Sequence, residues 1–330
     1  MKEEKHFCGI TCANPEVNGN MADAAWKQVP MYKPSLWTRF IWWLKDKFGM
    51  GCDMKTKFTE VVLLTKSYNL QDFKDWLHWH LDIIGFDCCH IFDNESSVDI
   101  KSICDSYGDK VTYELVKGWP NQYALYNRYI NNESKAWWVL PIDDDEFLYV
   151  SDKYHNNVNE MLMSVSTQHK DWNKICVGWR NLFPKEYTEE RTNEHMILNA
   201  TGWSDQASMV WQVGNRPVKT FVKTTQKYEY SDRIGHNTHD PLINGNNISG
   251  KTLYGIEVKN SWQVSPTPDN ADIILYHYQF RCNKEWVYKC TKRISAGARN
   301  FKKNFPDLYK KLYGTYKINE DNRVVNMWNK

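Results

Sequence analysis

Two kinds of hydrophobic spacing alternate along the middle of the chain. Residues 60–65 form a short apolar run that predicts a buried strand, and from Phe73 to Ile84 the apolar residues recur at helical spacing. Gly85 favours a helix end, and residues 88–92 predict a second buried strand. A strand, a helix and a strand in this order are typical of a parallel sheet covered by helices, so we predict an α/β fold.

Further elements continue this pattern towards the carboxyl terminus. The pattern predicts strands near 111–116, 137–142, 174–179, 217–224 and 272–278, and helices over 122–131 and within 283–315. We divide the chain into an amino-terminal extension (1–57), one main domain (58–282) and a carboxy-terminal helical segment (283–330). The main domain is predicted to hold a mixed, mostly parallel sheet flanked by helices.

The candidate chemistry follows the strand predicted for 137–142, where four acids stand together from Asp143 to Glu146. The carboxyl ends of strands in open α/β sheets form the crevice where ligands bind. Neighbouring carboxylates repel one another unless a cation lies between them, and Mg²⁺ or Mn²⁺ prefers such oxygen ligands. The spacing of Asp143 and Asp145 therefore suggests a nucleotide-diphosphate site. Taken alone, the spacing fits a solvated turn equally well.

A second polar loop begins with Asp93 and Asn94, directly after the strand predicted for 88–92. If this strand neighbours the acidic one, Asp93 and Asp145 share a crevice. Asp93 then fits a contact to the base or ribose of a nucleotide, and an Asx turn with Asn94 and Ser96 is the structural alternative. Lys66 follows the first strand and approaches the same end of the site.

Composition and charge exclude several classes of protein. A net charge of +2 over 330 residues, with scattered Lys and Arg, gives no field for holding nucleic acid. The nine cysteines show no metal-ligand spacing and indicate free thiols of a reducing compartment. We find no secretion signal and no run of eighteen apolar residues. We therefore expect a soluble protein of the cytoplasm, either of a bacterium or of a host cell in which a virus produces it.

One segment qualifies this picture of a soluble protein. Residues 36–48 mix bulky aromatic and basic side chains, as helices that lie on a membrane surface do. Peripheral membrane contact is therefore one hypothesis for the segment. Packing against the main domain is the simpler interpretation.

Five groups of motif residues follow one another along the chain. They are 75–80 with 84–86 and 92–97; 122–127 with 142–147; 178–183; Lys219 and Thr220 with His236 and His239; and His277 and Tyr278 with Arg281, Glu285, Lys289 and Arg293. In this order they resemble the GT-A fold nucleotide-sugar glycosyltransferases, specifically the family 2-like and family 92 branch. The resemblance spans about residues 60 to 295, and its hallmark is the D-x-D-E-F sequence at 143–147.

The resemblance implies a metal-dependent transferase of the GT-A fold. Such an enzyme moves a sugar from a nucleotide-sugar donor, a UDP-sugar by preference, to a hydroxyl of a glycan or glycoconjugate. The implied metal is Mn²⁺ or Mg²⁺, held by Asp145 with Asp143 and His277, although His277 taken alone reads as a core histidine. The implied donor-binding residues are Lys66, Asp93, Asn94, Asp143, Asp144 and Arg281.

An inverting reaction also needs a general base that takes the proton of the acceptor hydroxyl. Asp205 is the first candidate because Trp203 beside it could shape an acceptor pocket, and Glu186 and Glu194 are alternatives. His239 is a candidate for contact with the acceptor or the metal.

Two other functions compete with the transferase. A glycan-binding module of the same fold would have lost its metal ligands, whereas the D-x-D spacing is intact. A metal-dependent phosphoesterase would need a second acidic cluster, and the sequence contains one strong cluster. We therefore rank the transferase first, the module second and the phosphoesterase last.

Overall fold

The computed structural model describes residues 6–7, 10–11, 55–118, 121–204, 217–231, 239–246, 248–258, 267–291 and 308–330. The aromatic segment 36–48 and the candidate base Asp205 lie outside the described residues. The predictions made for them, and the predicted domain limits, stay predictions.

Ten strands of the described residues form the main sheet. They are β1 (Lys57–Thr65), β2 (Cys88–Asp93), β3 (Val111–Leu115), β4 (Ala136–Ile142), β5 (Glu146–Val150), β6 (Lys174–Asn181), β7 (Val218–Lys223), β8 (Gly250–Lys251), β9 (Glu257–Val258) and β10 (Ile273–His277). Two-residue strands outside this sheet pair His6–Phe7 with Ile10–Thr11, Gly202–Trp203 with Asn319–Glu320, and Tyr228–Glu229 with Leu242–Ile243.

The helices fall between these strands and after the last of them. They are α1 (Leu70–His78), α2 (Ile100–Ser106), α3 (Gln122–Asn132), α4 (Val158–Gln168), α5 (Met196–Asn199), α6 (Asn283–Thr291), α7 (Leu308–Thr315) and α8 (Arg323–Trp328). A π-helix, Trp79–Ile83, continues α1, and short 3₁₀ turns cover Gly108–Lys110 and Asp152–Tyr154. None of the described helices is both long and apolar enough to cross a membrane.

The strand order is β9-β8-β6-β7-β4-β1-β2-β3, and β10 pairs with β5 and β6. Strand β1 lies parallel to β2 and β4, β2 lies parallel to β3, and β6 lies parallel to β8 and β10. Strand β7 is antiparallel to β4 and β6, and β5 is antiparallel to β10. The predicted α/β class with a mixed, mostly parallel sheet flanked by helices is therefore confirmed.

The parallel strands bring the predicted polar loops to one edge of the sheet. Thr65 at the end of β1 lies opposite Asp93, and Leu63 lies opposite Ile142 at the end of β4. The strands that lead to Asp93 and to the acidic turn are not direct neighbours, because β1 lies between them. All three end at the same edge, where α/β sheets bind their ligands.

Helix α1 connects this edge to the core. It begins where the Asn69 side chain accepts hydrogen bonds from the backbone of the first turn, and its apolar face buries Phe73, Trp76 and Leu77. Gly85, with a φ of 82°, turns the chain after the π-helix, as the sequence predicts. This short path from β1 to β2 places the start of α1 beside the ligand-binding edge.

Candidate functional site

The candidate site is built around the turn that joins β4 to β5, residues 143–145, here called the acidic turn. The Trp76 indole donates hydrogen bonds of 3.1 Å to the backbone oxygens of both Asp143 and Glu146. The backbone N–H of Asp143 donates to Glu146 Oε2 at 2.8 Å, and Tyr278 N donates to the Asp145 oxygen at 2.7 Å. These bonds fix the turn before any ligand binds.

A lysine from β7 neutralises part of the acidic turn. Lys219 is buried, with Nζ 2.9 Å from Asp143 Oδ2 and 3.5 Å from Glu146 Oε2. Burial by itself would raise the pKa of Asp143, but the charge of Lys219 and its hydrogen bond act together with smaller contributions to lower that pKa. Burial raises the pKa of Glu146 well above its ordinary value. The sequence analysis included Lys219 in a motif group but did not predict that Lys219 pairs with Asp143.

His277 meets the acidic turn from the neighbouring strand. Strand β10 runs antiparallel to β5 and sets His277 opposite Glu146. His277 Nε2 lies 3.3 Å from Asp145 Oδ1, and the ring of Trp179 packs against the imidazole at a centroid distance of 4.4 Å. The structure thus brings together the carboxylate and the imidazole that the resemblance implied.

Arg281 adds a positive charge on the other side of Asp145. Its side chain is buried, Nη1 pairs with Asp72 Oδ2 at 2.8 Å, and Nη2 lies 4.0 Å from Asp145 Oδ2. With Asp144 and Tyr68, Arg281 lines a small cavity of about 10 Å³. The structure therefore brings Arg281 beside the acidic turn, and its contact with a diphosphate stays a prediction.

The remaining donor candidates lie along the same edge. Asp93 accepts hydrogen bonds from the Tyr113 hydroxyl at 2.7 Å and from Ser96 N at 2.8 Å. Its carboxylate thus bonds the backbone three residues further on, whereas an Asx turn would bond the backbone two residues on. The amide of Asn94 donates to the backbone oxygens of Val116 and Gly118, which holds the loop. These contacts fix the loop and do not test its contact with a nucleotide.

Two other donor candidates lie beside the end of β1. Asp144 is partly exposed and accepts a hydrogen bond from Thr65 Oγ1 at 2.7 Å. Lys66, the next residue after the strand, is exposed. Both lie at the carboxyl edge, and their contact with a donor stays a prediction.

His239 is buried on the same side as His277. Its Nδ1 lies 3.0 Å from the Val218 oxygen, and its ring lies edge-on to Trp179 at 5.1 Å. Burial lowers the pKa of His239 to about 3, so the ring is neutral at pH 7. The contact of His239 with the acceptor or the metal stays a prediction.

The structure does not bring Trp203 to the acidic turn. The Arg180 guanidinium lies over its ring at 4.1 Å, and Arg180 pairs in register with Tyr276. Because side chains alternate along a strand, Tyr276 and His277 point to opposite faces of the sheet. Trp203 therefore packs on the face opposite His277, a separation that sequence reasoning had no means to detect.

Among the described residues, no contact joins a candidate general base to the acidic turn. Glu186 and Glu194 are both exposed, and Glu194 Oε1 lies 3.9 Å from His195 Nε2. Asp205 lies outside the described residues. The identity of the general base stays a prediction.

The donor atoms at the turn fit a divalent cation in part. The carboxylate of Asp145 suits Mg²⁺ or Mn²⁺, and the imidazole of His277 adds a nitrogen ligand. Asp143 is instead paired with Lys219. In the part of the chain that the structure describes, no group of three or more His, Cys, Asp or Glu side chains is arranged to hold a metal. Metal binding stays a prediction.

Fold and site together define an α/β protein with a carboxylate-rich turn at the carboxyl edge of its sheet. No family model and no curated protein matches the chain. Staphylococcus aureus TarS is 11% identical over 78% of this chain and 42% of that chain, with a TM-score of 0.37. The structure of TarS 1-349 is likewise 11% identical over 78% of this chain, covers 72% of that chain and has a TM-score of 0.35. The 4-diphosphocytidyl-2C-methyl-D-erythritol synthase of Anaerococcus prevotii is 11% identical over 42% of this chain and 61% of that chain, with a TM-score of 0.25. At these TM-scores the likeness carries no argument about activity.

Proposed function

We propose that the protein is a metal-dependent glycosyltransferase of the GT-A fold, in the family 2-like and family 92 branch. It would transfer a sugar from a UDP-sugar to a hydroxyl of a glycan or glycoconjugate, with inversion. The observation that supports the proposal is the approach of His277 to Asp145 at 3.3 Å, beside Arg281, at the carboxyl edge of parallel strands.

Asp145 and His277 would hold Mn²⁺ or Mg²⁺, and Asp143 would contact the ribose or the water shell of the ion. When bound, the ion neutralises negative charge on the leaving diphosphate. Lys219 keeps Asp143 ionised and in place, while Trp76 fixes the backbone of the turn. These groups are oriented before the donor arrives, which is the condition for electrostatic stabilisation of developing charge.

The donor would extend from the acidic turn towards Asp93, with Asn94 and Lys66 at the same edge. The acceptor would approach from the side of His239 and Trp179. Asp205 remains the first candidate for the general base, with Glu186 and Glu194 as alternatives. The same proposal includes no nucleic-acid partner, and any contact of 36–48 with a membrane surface stays a separate prediction.

The proposal is tested by a screen of UDP-, GDP- and dTDP-sugars, with Mn²⁺ or with EDTA. Thermal shift and slow hydrolysis of the donor are the two readouts. We expect one donor to stabilise the protein only with metal, and we expect Asp145→Ala to abolish this response. Asp152→Ala is the matched control because Asp152 is an exposed acid seven residues further along.

A folded protein that responds to no donor in the presence of metal would contradict the proposal. The glycan-binding module would then become the preferred function, and binding of glycans without turnover would support it. Release of inorganic phosphate from phosphate esters would instead favour the phosphoesterase.

A further inference from the structure

Beneath the acidic turn lies a buried network of two arginines and two acids. Both oxygens of Asp72 accept hydrogen bonds from Arg191, each at 2.6 Å. Asp72 Oδ2 also binds Arg281 at 2.8 Å, and Glu285 binds Arg191 at 2.8 Å and Arg281 at 3.4 Å. The side chains of Asp72, Arg191 and Arg281 are at most 11% exposed. With Glu285 the network holds two positive and two negative charges, which balance as buried ionic groups require.

This network fixes one side of the Arg281 guanidinium and leaves the other side directed at the site. Nε donates to the Tyr278 oxygen at 3.2 Å, and Nη1 donates to Asp72. A guanidinium is a rigid planar fork, so holding two of its nitrogens determines the position of the third. That third nitrogen, Nη2, lies 4.0 Å from Asp145 Oδ2.

We propose that Asp72 and Arg191 are positioning residues that orient Arg281 towards a diphosphate bound beside Asp145. Asp72 holds Arg281 directly, and Arg191 holds Asp72 through both carboxylate oxygens. The inference rests on the proposed function, which supplies the diphosphate. Neither Asp72 nor Arg191 belongs to the motif groups that carry the resemblance.

Helix α1 gives the network a second connection to the site. Asp72 lies one turn before Trp76, whose indole binds the backbone of the acidic turn. The same helix therefore fixes both the carboxylates and the guanidinium that would surround a donor. A shift of α1 would move both together.

The experiment measures dissociation constants by calorimetry for UDP with Mn²⁺ and for inorganic pyrophosphate. The proteins are wild type, Asp72→Asn, Arg281→Gln and the double variant. We expect Asp72→Asn to weaken binding about tenfold, because Arg281 keeps its charge but loses the partner that orients it towards the diphosphate. Because Asp72 acts through Arg281, the double variant should bind no more weakly than Arg281→Gln alone.

Asp75→Asn is the matched control. Asp75 is a buried acid one turn further along α1, and its carboxylate binds His195 at 3.0 Å and Gln71 at 2.7 Å. Its loss disturbs the same helix, so a purely structural effect would appear in both variants. We expect Asp75→Asn to retain the wild-type affinity within about twofold.

Unchanged affinity in folded Asp72→Asn, or additive losses in the double variant, would overturn the inference and leave the proposed function standing. If Asp72→Asn does not fold, Arg191→Lys gives the same test, because lysine keeps the charge but loses the two-pronged contact. An unchanged affinity there would also overturn the inference. Binding of pyrophosphate without UDP would overturn the donor proposal only, and binding of neither would overturn both.

Discussion

At the scale of single residues, the four acids are tolerated because each has different surroundings. Asp143 pairs with Lys219, and Asp144 is partly exposed and accepts from Thr65. Asp145 lies between His277 and Arg281. Glu146 is fully buried and accepts from the backbone of Asp143, and its pKa is raised by burial. The turn therefore does not depend on one cation to relieve all its repulsion.

Lys219→Met should destabilise the protein by about 2 kcal/mol, because it leaves buried Glu146 without its cation and Asp143 without its hydrogen bond. The free energy of unfolding in urea measures this. Adding Glu146→Gln should recover part of the loss. Lys101→Met, which removes an exposed pair with Asp105, is the control and should change the free energy by less than about 0.5 kcal/mol. Equal losses of unfolding free energy in the two lysine variants would refute the stabilising role of Lys219.

At the scale of elements, His80 connects the π-helix to β5. Its Nδ1 lies 2.8 Å from the Trp76 oxygen, and its Nε2 accepts from Leu148 N at 3.3 Å. This pair of contacts requires a neutral ring, with the proton on Nδ1. Burial lowers the pKa of His80 from 6.5 to about 3.

Acid should therefore destabilise the protein through His80. Below pH 6.5 His80 is protonated in the unfolded chain, whereas in the folded protein it stays neutral down to about pH 3. Stability is present above pH 6.5 and falls as the pH drops, with a slope of about 1.4 kcal/mol per pH unit for this group. His80→Asn should flatten the dependence of unfolding free energy on pH. The exposed His155→Asn should not, and identical slopes in wild type and His80→Asn would sink the idea.

Strand β6 owes its close contacts to a glycine. A Cβ added at Gly178 would lie 2.2 Å from Thr267 Oγ1 and 2.8 Å from the Tyr254 hydroxyl. Gly178→Ala should therefore cost about 1–3 kcal/mol, as overpacking does. Gly314 in α7 has no neighbour within 4 Å of an added Cβ, so Gly314→Ala should be neutral or stabilising by up to about 1 kcal/mol. Chemical denaturation of both variants checks the opposite signs.

At the scale of the whole molecule, the carboxy-terminal residues close the face of the sheet opposite His277. Asp321 is buried and binds Arg180 at 2.6 Å and the Tyr276 hydroxyl at 2.7 Å. Arg323 completes the cluster with a hydrogen bond to the same carboxylate. A segment more than 40 residues beyond β10 thus supports the strand that presents His277.

Asp321→Asn should destabilise the protein by about 3 kcal/mol, because Arg180 loses a buried counter-ion. Burial opposes ionisation of Asp321, but the bonds from Arg323 and Tyr276 outweigh it and lower its pKa. The stabilisation is thus present above the ordinary value of 3.8 and is lost as the pH falls towards the folded pKa. Denaturant unfolding of Asp321→Asn and of the exposed control Glu320→Gln measures the difference. A matching loss in the control would contradict the prediction.

Local spacing predicted much of the fold. The predicted strand at 111–116 is observed at Val111–Leu115, and the predicted helix at 122–131 is observed at Gln122–Asn132. The region 283–315 contains two described helices, α6 and α7, with 292–307 outside the described residues. Strand β1 begins at Lys57, three residues before the apolar run, because Lys57 already pairs in register with Ala136 of β4, and Lys57 and Phe58 are only half-buried. Boundaries depend on pairing between strands, which periodicity does not encode.

The class of fold, and the edge at which polar loops collect, could be predicted from the chain because both follow from apolar spacing and from the residues that end each strand. Which charges meet could not be predicted in this way. Lys219 reaches Asp143 across 76 residues, and Arg281 reaches Asp72 across 209. Only the tertiary structure placed Trp203 on the face opposite His277. Such pairings follow from strand order and register, which are set by packing of the whole sheet and leave no local pattern in the chain.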